Sequence, residues 1–466
     1  MTTTPTQTPT IPKIDRAHPL VHYAHRSGYE RFQKCPRSYY WNYTYQGIGV
    51  ERARVDVPLA RGIYVHRGLE AILRGDRIDD AIKFALAKFD EEIGLRGLDV
   101  ASLEDGSYVY KEQRALIEAM LYAWWKKRLP VLLEQYDILE VEREEEWDLG
   151  VFETAAGPCR LVWLGKADAL LKEKDSGDLF IQSFKTTSDW DSRKDSAAVH
   201  DVQGLSELCA VEHRLEMWWK MLHDPKTHLQ VQAEMPKDYR PISPELSKLL
   251  ETAEQPPKIM GIRMEHLLAG NRIAYKKNDG QKTQYSPLIR AYRKSGITPE
   301  MDEWAYKYTW SDEFGEHRLG KGWQPLNMWE QEGGVRAWID RLAEHQIQAE
   351  LGDALDQQYV SPVPYYRQQE DVINWQQQMI AEELRKFEAK QRLAISTTPE
   401  EELFVLNSMF PQYLHSCTYP TQCSYVPLCH EPGYAESVLT CGLYRFREGH
   451  HDAERKRIEE LKKVVA

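Results

Sequence analysis

The sequence predicts an α/β fold, because three consecutive strand-like segments are flanked on both sides by segments with helical periodicity. The strand-like segments are residues 137–149, 160–173 and 179–187. Helical spacing of apolar residues covers residues 60–93 and 108–135 before them, and residues 200–222 after them. The predicted order is therefore helix, three-stranded meander, helix, which indicates an α+β or α/β core.

Each of these elements carries a local signal. Residues 60–93 place apolar side chains and His66 at helical spacing, and the segment 108–135 has Trp124 on its apolar side. The second and third strands are joined by the turn-like sequence KDSGD. Residues 26–45 predict a short aromatic-rich helix or loop.

Beyond residue 223 the segments are punctuated by Pro and Gly, with one predicted strand at 258–269. Charged helices are predicted at 334–355 and 367–392. The role of this middle segment, in binding DNA or a partner, stays open at this stage. The predicted divisions are a disordered tail at 1–20, a core at 21–222, a mixed elaboration at 223–400 and a cysteine-bearing segment with a C-terminal helix at 401–466.

Composition restricts the class of protein. The 466 residues are 42% hydrophobic and 28% charged, which is typical of globular chains. No run of eighteen apolar residues and no signal-peptide pattern occur, so we expect a cytoplasmic protein without membrane spans. The net charge of −12 argues against coating of nucleic acid by bulk charge. Any DNA contact must then come from local basic residues, and the candidates are Arg37, Arg61, Arg67, Lys166 and Arg193.

Two polar residues on neighbouring predicted strands suggest a hydrolytic site. Asp168 lies in LGKADAL and Lys185 lies in QSFKTTS on the next strand. Carboxylates bind Mg²⁺ or Mn²⁺, which activate a water and stabilise charge at a phosphate, and a lysine can position that water. The backbone carbonyl of Phe184 can complete the metal shell. A single Asp or Lys on a strand is usually a solvated surface residue. The hypothesis of a hydrolytic site therefore depends on the order of the neighbouring motifs.

The motifs GIYVHRGLE, GKADAL and SFKTTS, followed by a helix that bears Gln203, resemble the successive motifs of RecB-like and Cas4-like nucleases of the PD-(D/E)XK superfamily. The segment CPRSYYWNY resembles the opening of those domains. The resemblance spans about residues 26–215 and resumes at 417–429. It implies a restriction-endonuclease-like core with helical elaborations.

The resemblance also implies roles for individual residues. The family's function is metal-dependent cleavage of DNA, as an exonuclease in its RecB-like and Cas4-like members. His66, Asp168 and Lys185 match its metal-binding or catalytic residues. Gln203 matches a glutamine that lies near the DNA, and Arg37 joins it as a candidate DNA contact.

The sequence departs from the family at one position. Ser183 stands two residues before Lys185, where the family has Asp or Glu. We expect Glu207, four residues after Gln203 on the same helical face, to replace that ligand and to act as a catalytic metal-binding residue. Two alternatives remain: a degenerate site, or a carboxylate from Glu142 or Glu144. The run EREEE that holds these two reads more simply as a solvated strand face.

Cysteines form the second constellation. Five residues separate Cys417 from Cys423, and five more separate Cys423 from Cys429, whereas paired zinc knuckles usually have closer spacing. With one distant cysteine they suit a four-thiolate 4Fe–4S cluster. The family resemblance identifies Cys35 as the fourth ligand and implies a structural cluster. Zinc in the same cage, free buried thiols, and Cys441 as a substitute ligand are the alternatives.

The expected function is therefore hydrolysis of DNA phosphodiester bonds, from ends as the resemblance implies, in recombination, repair, or phage or CRISPR-linked DNA processing. No GxxxxGK(S/T) motif occurs, so any helicase or recombination motor would be a separate partner. A DNA-binding module of the same fold that lost its metal is the main alternative, and Ser183 favours it. A zinc-stabilised structural protein is the second alternative.

Overall fold

The computed structural model describes residues 19–100, 106–187, 202–224, 242–268, 369–418 and 422–465, with short stretches at 272–273, 283–284, 310–312, 315–317, 336, 359–360 and 364–366. Most of the predicted N-terminal tail, most of the predicted helix at 334–355, and Arg193 lie outside the described residues. The helices are α1 Arg26–Lys34, α2 Pro36–Tyr43, α3 Val57–Leu73, α4 Ile78–Arg96, α5 Gly106–Lys127, α6 Leu129–Gln135, α7 Val202–His223, α8 Pro244–Thr252, α9 Gln369–Ile395, α10 Pro399–Met409, α11 Val426–His430, α12 Pro432–Glu436 and α13 Asp452–Val465. No helix in these ranges is both long and apolar enough to span a bilayer.

The strands form one central sheet and several two-stranded ribbons. Their bounds are β1 Leu20–His25, β2 Val50–Arg52, β3 Val55–Asp56, β4 Leu98–Asp99, β5 Tyr136–Thr154, β6 Gly157–Glu173, β7 Leu179–Thr187, β8 Ile259–Leu268, β9 Arg272–Ile273, β10 Thr283–Gln284, β11 Trp310–Asp312, β12 Gly315–His317, β13 Tyr359–Val360, β14 Pro364–Tyr366 and β15 Tyr444–Phe446. The central sheet has seven strands in the order β1-β6-β7-β8-β13, with β5 beside β6 and β14 beside β8.

The predicted meander is confirmed, because β5, β6 and β7 pair antiparallel in sequence order. The strand predicted at 258–269 is also confirmed, as β8. It pairs parallel with β7, so the central sheet extends into the segment predicted as an elaboration. The architecture is thus a mixed α/β fold, consistent with a restriction-endonuclease-like core.

Two predicted helices are each divided in the structure. The segment 60–93 is split into α3 and α4 at a turn where Gly75 has a φ of +93°, a conformation that favours glycine. The segment 108–135 is split into α5 and α6 just before Pro130, which cannot donate a hydrogen bond within a continuous helix. Helical periodicity continued across both breaks and concealed them.

Three clusters of buried side chains form the core. The first packs α3, α4 and α5 against one side of the sheet, around Trp124 and Phe184. The second packs α7, α8 and α9 against strand residues that include Trp163. The third joins α2 to the C-terminal segment through aromatic residues such as Tyr40 and Tyr425. The helices therefore cover the sheet from both sides, and the chain ends meet in the third cluster.

A buried ion cluster links β1 to α9. His22 Nε2 lies 2.9 Å from Glu383 Oε2, and Glu383 also contacts the buried Lys386 ammonium. That ammonium stands 5.0–5.3 Å from the ring centroids of Tyr29, Phe32 and Tyr39. Burial lowers the pKa of His22 to about 4. Although burial opposes ionisation of Glu383, Lys386 and His22 hold the pKa of its carboxyl at about 2.

Stability should therefore fall on mild acidification. His22 is neutral in the folded state down to about pH 4, whereas in the unfolded chain it takes up a proton below its ordinary pKa of 6.5. Because the unfolded state then binds more protons, the free energy of unfolding decreases as the pH falls between these values. We expect His22 to account for roughly 1–2 kcal/mol between pH 7 and 5. The measurement is the urea midpoint against pH.

The control for this prediction is His22→Gln, whose amide can still donate to Glu383 but cannot titrate in this range. Its stability should depend less steeply on pH than that of the wild type. Identical slopes for the two proteins would show that His22 does not titrate as the structure indicates.

Candidate active site

The candidate site lies where two strands separate along one edge of β6. On that edge β1 pairs with residues Cys159 to Leu164, and β7 pairs with residues Ala169 to Lys172. Residues 165–168 lie between these two paired stretches. Asp168, at the end of this gap, is 7% exposed, and its Oδ2 accepts a hydrogen bond of 2.5 Å from the Phe184 backbone N–H. The divergence of the strands thus creates room for a polar side chain inside the sheet.

Helix α3 brings His66 to Asp168. His66 Nδ1 lies 3.2 Å from Asp168 Oδ1, and the His66 side chain is 27% exposed. The helix approaches β7 closely, because a Cβ atom at Gly62 would lie 2.8 Å from the Thr186 hydroxyl oxygen. The Phe184 ring meets the imidazole edge-on at 6.4 Å between centroids. Packing of α3 on β7 therefore sets the position of the histidine, as the predicted association of His66 with Asp168 requires.

The second carboxylate at the site is Glu142. It lies on β5 opposite Asp168, between the pairs Val141–Ala169 and Arg143–Ala167. Its side chain contacts the Lys166 ammonium, and the residue is 8% exposed. Ligand atoms of His66, Glu142 and Asp168 all lie within 4.8 Å of one another, and no other such group occurs in the part of the chain that the structure describes. This is the closest arrangement of metal-ligand types there.

The backbone of β5 explains why Glu142 points to the site. Glu142 has a φ of +50°, in the left-handed region that side chains other than glycine rarely adopt. On a regular strand Glu140 and Glu145, five residues apart, would point to opposite faces of the sheet. Both bind the buried Arg214 of α7, at 2.5 and 2.7 Å, so the side-chain alternation of β5 reverses between them. Two residues of the run EREEE are thus buried and paired, and the expectation of a solvated strand face is wrong for Glu142 and Glu145.

The three groups influence one another electrostatically. Burial and then the charge of Asp168 raise the pKa of Glu142 to about 7. Burial opposes ionisation of Asp168, but His66 and the Phe184 N–H keep the pKa of that carboxyl below its ordinary value. Burial likewise opposes protonation of His66, yet Asp168, Glu142 and Glu207 raise the pKa of the imidazole. A buried carboxylate pair of this kind is favourable for binding a divalent cation, whose charge offsets the desolvation of both groups.

Lys185 and Ser183 lie on β7 beside the same gap. Continuing the β6–β7 register one step beyond Ala169–Gln182 sets Ser183 opposite Asp168. Ser183 is completely buried, whereas Lys185 is partly exposed. Residues two apart on a strand share a face, so Lys185 is on the Ser183 side of β7. Phe184 contributes its N–H to Asp168, and ligation by its carbonyl stays a prediction.

Helix α7 holds the predicted replacement carboxylate. Glu207 is 3% exposed and near enough to His66 to raise the pKa of that imidazole. Its carboxylate is not a member of the group that His66, Glu142 and Asp168 form. Gln203 lies in the first turn of α7, but its side chain is outside the described residues. The structure therefore places Glu142, and not Glu207, in the close group with His66 and Asp168.

The structure uses Arg37 differently from the expectation. The guanidinium donates to the carbonyl oxygens of Phe410 at 2.9 Å and Leu406 at 3.0 Å, at the C-terminal end of α10. It also donates to Asn407 Oδ1 at 2.9 Å, and the residue is 9% exposed. A cation at a helix C-terminus satisfies carbonyls that lack helical partners. Arg37 thus connects the two chain ends, and a DNA contact by this buried side chain would require loss of these bonds.

The four predicted cluster cysteines lie in one neighbourhood. Burial and then the Cys35 and Cys423 thiols raise the pKa of Cys417. Burial raises the pKa of Cys429 to about 11, and both Cys423 and Cys35 contribute in the same direction. The Cys423 N–H donates to the Cys417 carbonyl at 2.9 Å. The chain ends are also joined directly, because Asn42 Nδ2 donates to the Tyr425 hydroxyl at 2.7 Å.

Glu142 is the site residue that sequence reasoning undervalued. The β5–β6 hairpin turns at residues 155–156, so paired residue numbers sum to 311 near the turn and to 310 beyond the irregularity at Asp148/Gly150. The turn alone would place residue 143 opposite residue 168, and the irregularity moves residue 142 to that position. The positive φ also has no sequence signal, because glutamate is not a residue that favours it.

Comparison with known proteins gives a family match over most of the chain. A family model described as the PD-(D/E)XK nuclease superfamily matches residues 26–430, which include His66, Glu142, Asp168, Lys185 and all four clustered cysteines. No curated protein matches the chain significantly.

Proposed function

The chain belongs to the PD-(D/E)XK nuclease superfamily, and on this basis we propose that it hydrolyses phosphodiester bonds of DNA at the site around Asp168. Members of the superfamily are generally metal-dependent nucleases that bind DNA. The observation that carries the proposal is the convergence of His66, Glu142 and Asp168 within 4.8 Å, with Asp168 on β6, the strand that pairs with the Lys185-bearing β7.

The side chains present suit a hard divalent cation. Glu142 and Asp168 offer carboxylate oxygens and His66 offers an imidazole nitrogen, a set that suits Mg²⁺ or Mn²⁺ better than a thiolate-seeking metal. A bound cation would activate a water and stabilise negative charge at the scissile phosphate. The raised pKa of Glu142 fits such a site, because the buried carboxylate otherwise faces Asp168 and is stabilised only by Lys166.

The protein's own groups have distinct roles in this proposal. Asp168 is held ionised by His66 and by the Phe184 N–H, so it is ready to bind a cation. The Lys185 ammonium lies on the same strand as Ser183 and supplies positive charge where charge develops on the phosphate. Lys166 neutralises Glu142 until a cation is present. Exclusion of bulk water from the gap strengthens each of these interactions.

Because Ser183 lies opposite Asp168, the usual acidic metal ligand is missing there. We propose that Glu142, rather than Glu207, supplies this ligand. Glu142 supports the proposal by its place in the close group, while Glu207 is buried nearby on α7. A hydroxyl at Ser183 is a weak ligand for a hard cation compared with a carboxylate.

The two carboxylates can be separated by matched substitutions. With Mg²⁺ or Mn²⁺ the wild type should degrade DNA, and EDTA should stop it. Glu142→Gln should reduce kcat by roughly 100-fold or more because it removes a metal-binding charge. Glu207→Gln should retain more activity, since its carboxylate is outside the close group. The assay is release of acid-soluble nucleotide, with Mn²⁺ affinity measured by calorimetry.

The opposite ranking, with Glu207→Gln inactive and Glu142→Gln active, would restore Glu207 as the replacement ligand. The double change Ser183→Asp with Glu142→Gln tests the same point, because it returns a carboxylate to the usual strand position and should recover activity. A wild type that cleaves nothing, together with an active Ser183→Asp protein, would establish the alternative of a DNA-binding module whose site has degenerated.

We further propose a RecB-like or Cas4-like exonuclease with a 4Fe–4S cluster held by Cys35, Cys417, Cys423 and Cys429. The observation that supports a shared site is the mutual influence of these thiols, because burial and then Cys35 and Cys423 raise the pKa of both Cys417 and Cys429. Trp41 Nε1 is a buried donor beside Cys429, and a sulfur of such a cluster would accept its hydrogen bond.

A further inference from the structure

A charged cleft leads away from the candidate site across β5. Its volume is about 1180 Å³, and its lining includes Glu142 and Lys166. The other lining residues come mainly from β1, β5, β6, α3, α7 and α13. The family match ends at residue 430, so α13 is outside the region that this chain shares with the superfamily model.

The exposed surface of the cleft is basic, although the whole chain is acidic. Six exposed cationic side chains line it, against three exposed carboxylates, whereas the chain has 60 Lys and Arg against 72 Asp and Glu. The other five lining carboxylates are partly or fully buried, and each pairs with a lining cation, as Glu145 binds Arg214 at 2.7 Å. Four of the six exposed cations are also paired with these carboxylates: Arg67, Arg74, Arg160 and Arg455. The six cations are Arg67, Arg74, Arg160, Arg455, Lys456 and Arg457, and the three exposed acids are Glu146, Asp452 and Glu460.

Helix α13 is anchored to the core close to the site. The Asp452 N–H donates to Glu144 Oε2 at 3.0 Å, and Arg455 lies 3.7 Å from the same carboxylate. Glu144 is only two residues along β5 from Glu142, about 7 Å at strand spacing. Glu454 binds the buried Arg447, and Ile458 is 5% exposed. The basic residues of α13 are therefore held beside the path to the site, and do not project from a loose tail.

We propose that this cleft is the path of the DNA strand, and that α13 forms one of its walls by binding backbone phosphates through Lys456 and Arg457. The inference rests on the proposed nuclease function, because Glu142 of the candidate site lines the cleft. Exposed cations on α3 and on α13 line the same cleft, which suits an anionic chain that passes between them. Because the protein is acidic overall, DNA must bind a locally basic surface of this kind.

The test is DNA binding by Lys456→Gln/Arg457→Gln. The probe is a fluorescein-labelled DNA hairpin with single-stranded overhangs, measured by anisotropy in EDTA so that no strand is cut. Loss of two phosphate contacts should weaken binding roughly tenfold at about 0.1 M salt and lower the slope of log K against log salt by about 2. The control Lys462→Gln/Lys463→Gln removes the same charge from the same helix, at positions that do not line the cleft. Melting temperatures check that both variants are folded.

The result that overturns the inference is an unchanged salt slope in Lys456→Gln/Arg457→Gln, or equal losses in both variants. Hydrolysis of thymidine 5′-(p-nitrophenyl) phosphate, a diester too small to reach α13, separates this outcome from failure of the proposed function. The small diester should be cleaved equally by the wild type and by Lys456→Gln/Arg457→Gln. If it is never cleaved while the salt slope still falls, the DNA path stands and the nuclease function fails.

Discussion

Asp168→Asn should abolish DNA hydrolysis, with a fall in kcat of at least about a thousandfold. The substitution preserves size and an oxygen that can accept from the Phe184 N–H, so the strands around the gap should keep their arrangement. It removes the charge that binds the cation and that pairs with His66 at 3.2 Å. Because a divalent cation needs anionic oxygen ligands, the site loses its metal while the fold remains.

The measurement is DNA degradation at saturating Mg²⁺ and Mn²⁺, with the melting temperature as a check of folding. Asp175→Asn is the matched control, since Asp175 is exposed in the turn between β6 and β7. It should retain wild-type activity. Activity that persists unchanged in Asp168→Asn would mean that the site is elsewhere in the chain.

Lys185→Gln provides a second measurement on the same site. The variant keeps a polar side chain on β7 but loses the positive charge that stabilises the transition state. We expect kcat to fall by roughly 100-fold or more with little change in Mn²⁺ affinity. A loss of metal affinity instead of kcat would assign Lys185 to the structure of the metal site.

Cys35→Ala should remove iron from the protein and lower its melting temperature by roughly 5–10 °C. Cys35 precedes α2, whereas its partner cysteines lie between residues 417 and 429, so a shared cluster would join the two ends of the matched region. The fold should survive, because Arg37 and Asn42 join the same ends through direct hydrogen bonds. Protein purified without oxygen should be brown, and the variant should be colourless.

The controls are Cys159→Ala and Cys209→Ala, which alter buried cysteines of β6 and α7 outside the cysteine neighbourhood. Both should retain iron and colour. Iron content and absorbance near 400 nm (the usual region for iron–sulfur proteins) are the readouts. Stoichiometric zinc without iron in the wild type would contradict the cluster and favour a zinc cage.

Local sequence patterns were sufficient for β5, β6, β7 and β8 of the central sheet, but they did not predict β1. The three segments of the meander follow from apolar runs bounded by turn residues, and their observed ends differ from the predicted ones by no more than five residues. Helix ends were harder to place, because Gly75 and Pro130 interrupt segments whose apolar spacing continues on both sides. A 3.6-residue period of apolar residues indicates which side of a helix is buried. Two successive helices that pack on one core both show this period, so the period does not reveal the break between them.

Some residues of the candidate site could likewise be predicted from local sequence, whereas others could not. His66, Asp168 and Lys185 could be proposed from motif order, since each lies in a recognisable local pattern. The role of Glu142 depends on pairing of β5 with β6 and on a backbone φ of +50°, both of which arise from the assembled sheet. Likewise, the basic side chains of α3 and α13 belong to helices nearly 400 residues apart in the sequence. They line one cleft only because the C-terminal segment packs on β5. Sequence patterns report neighbours along the chain, whereas these groups become neighbours through tertiary packing alone.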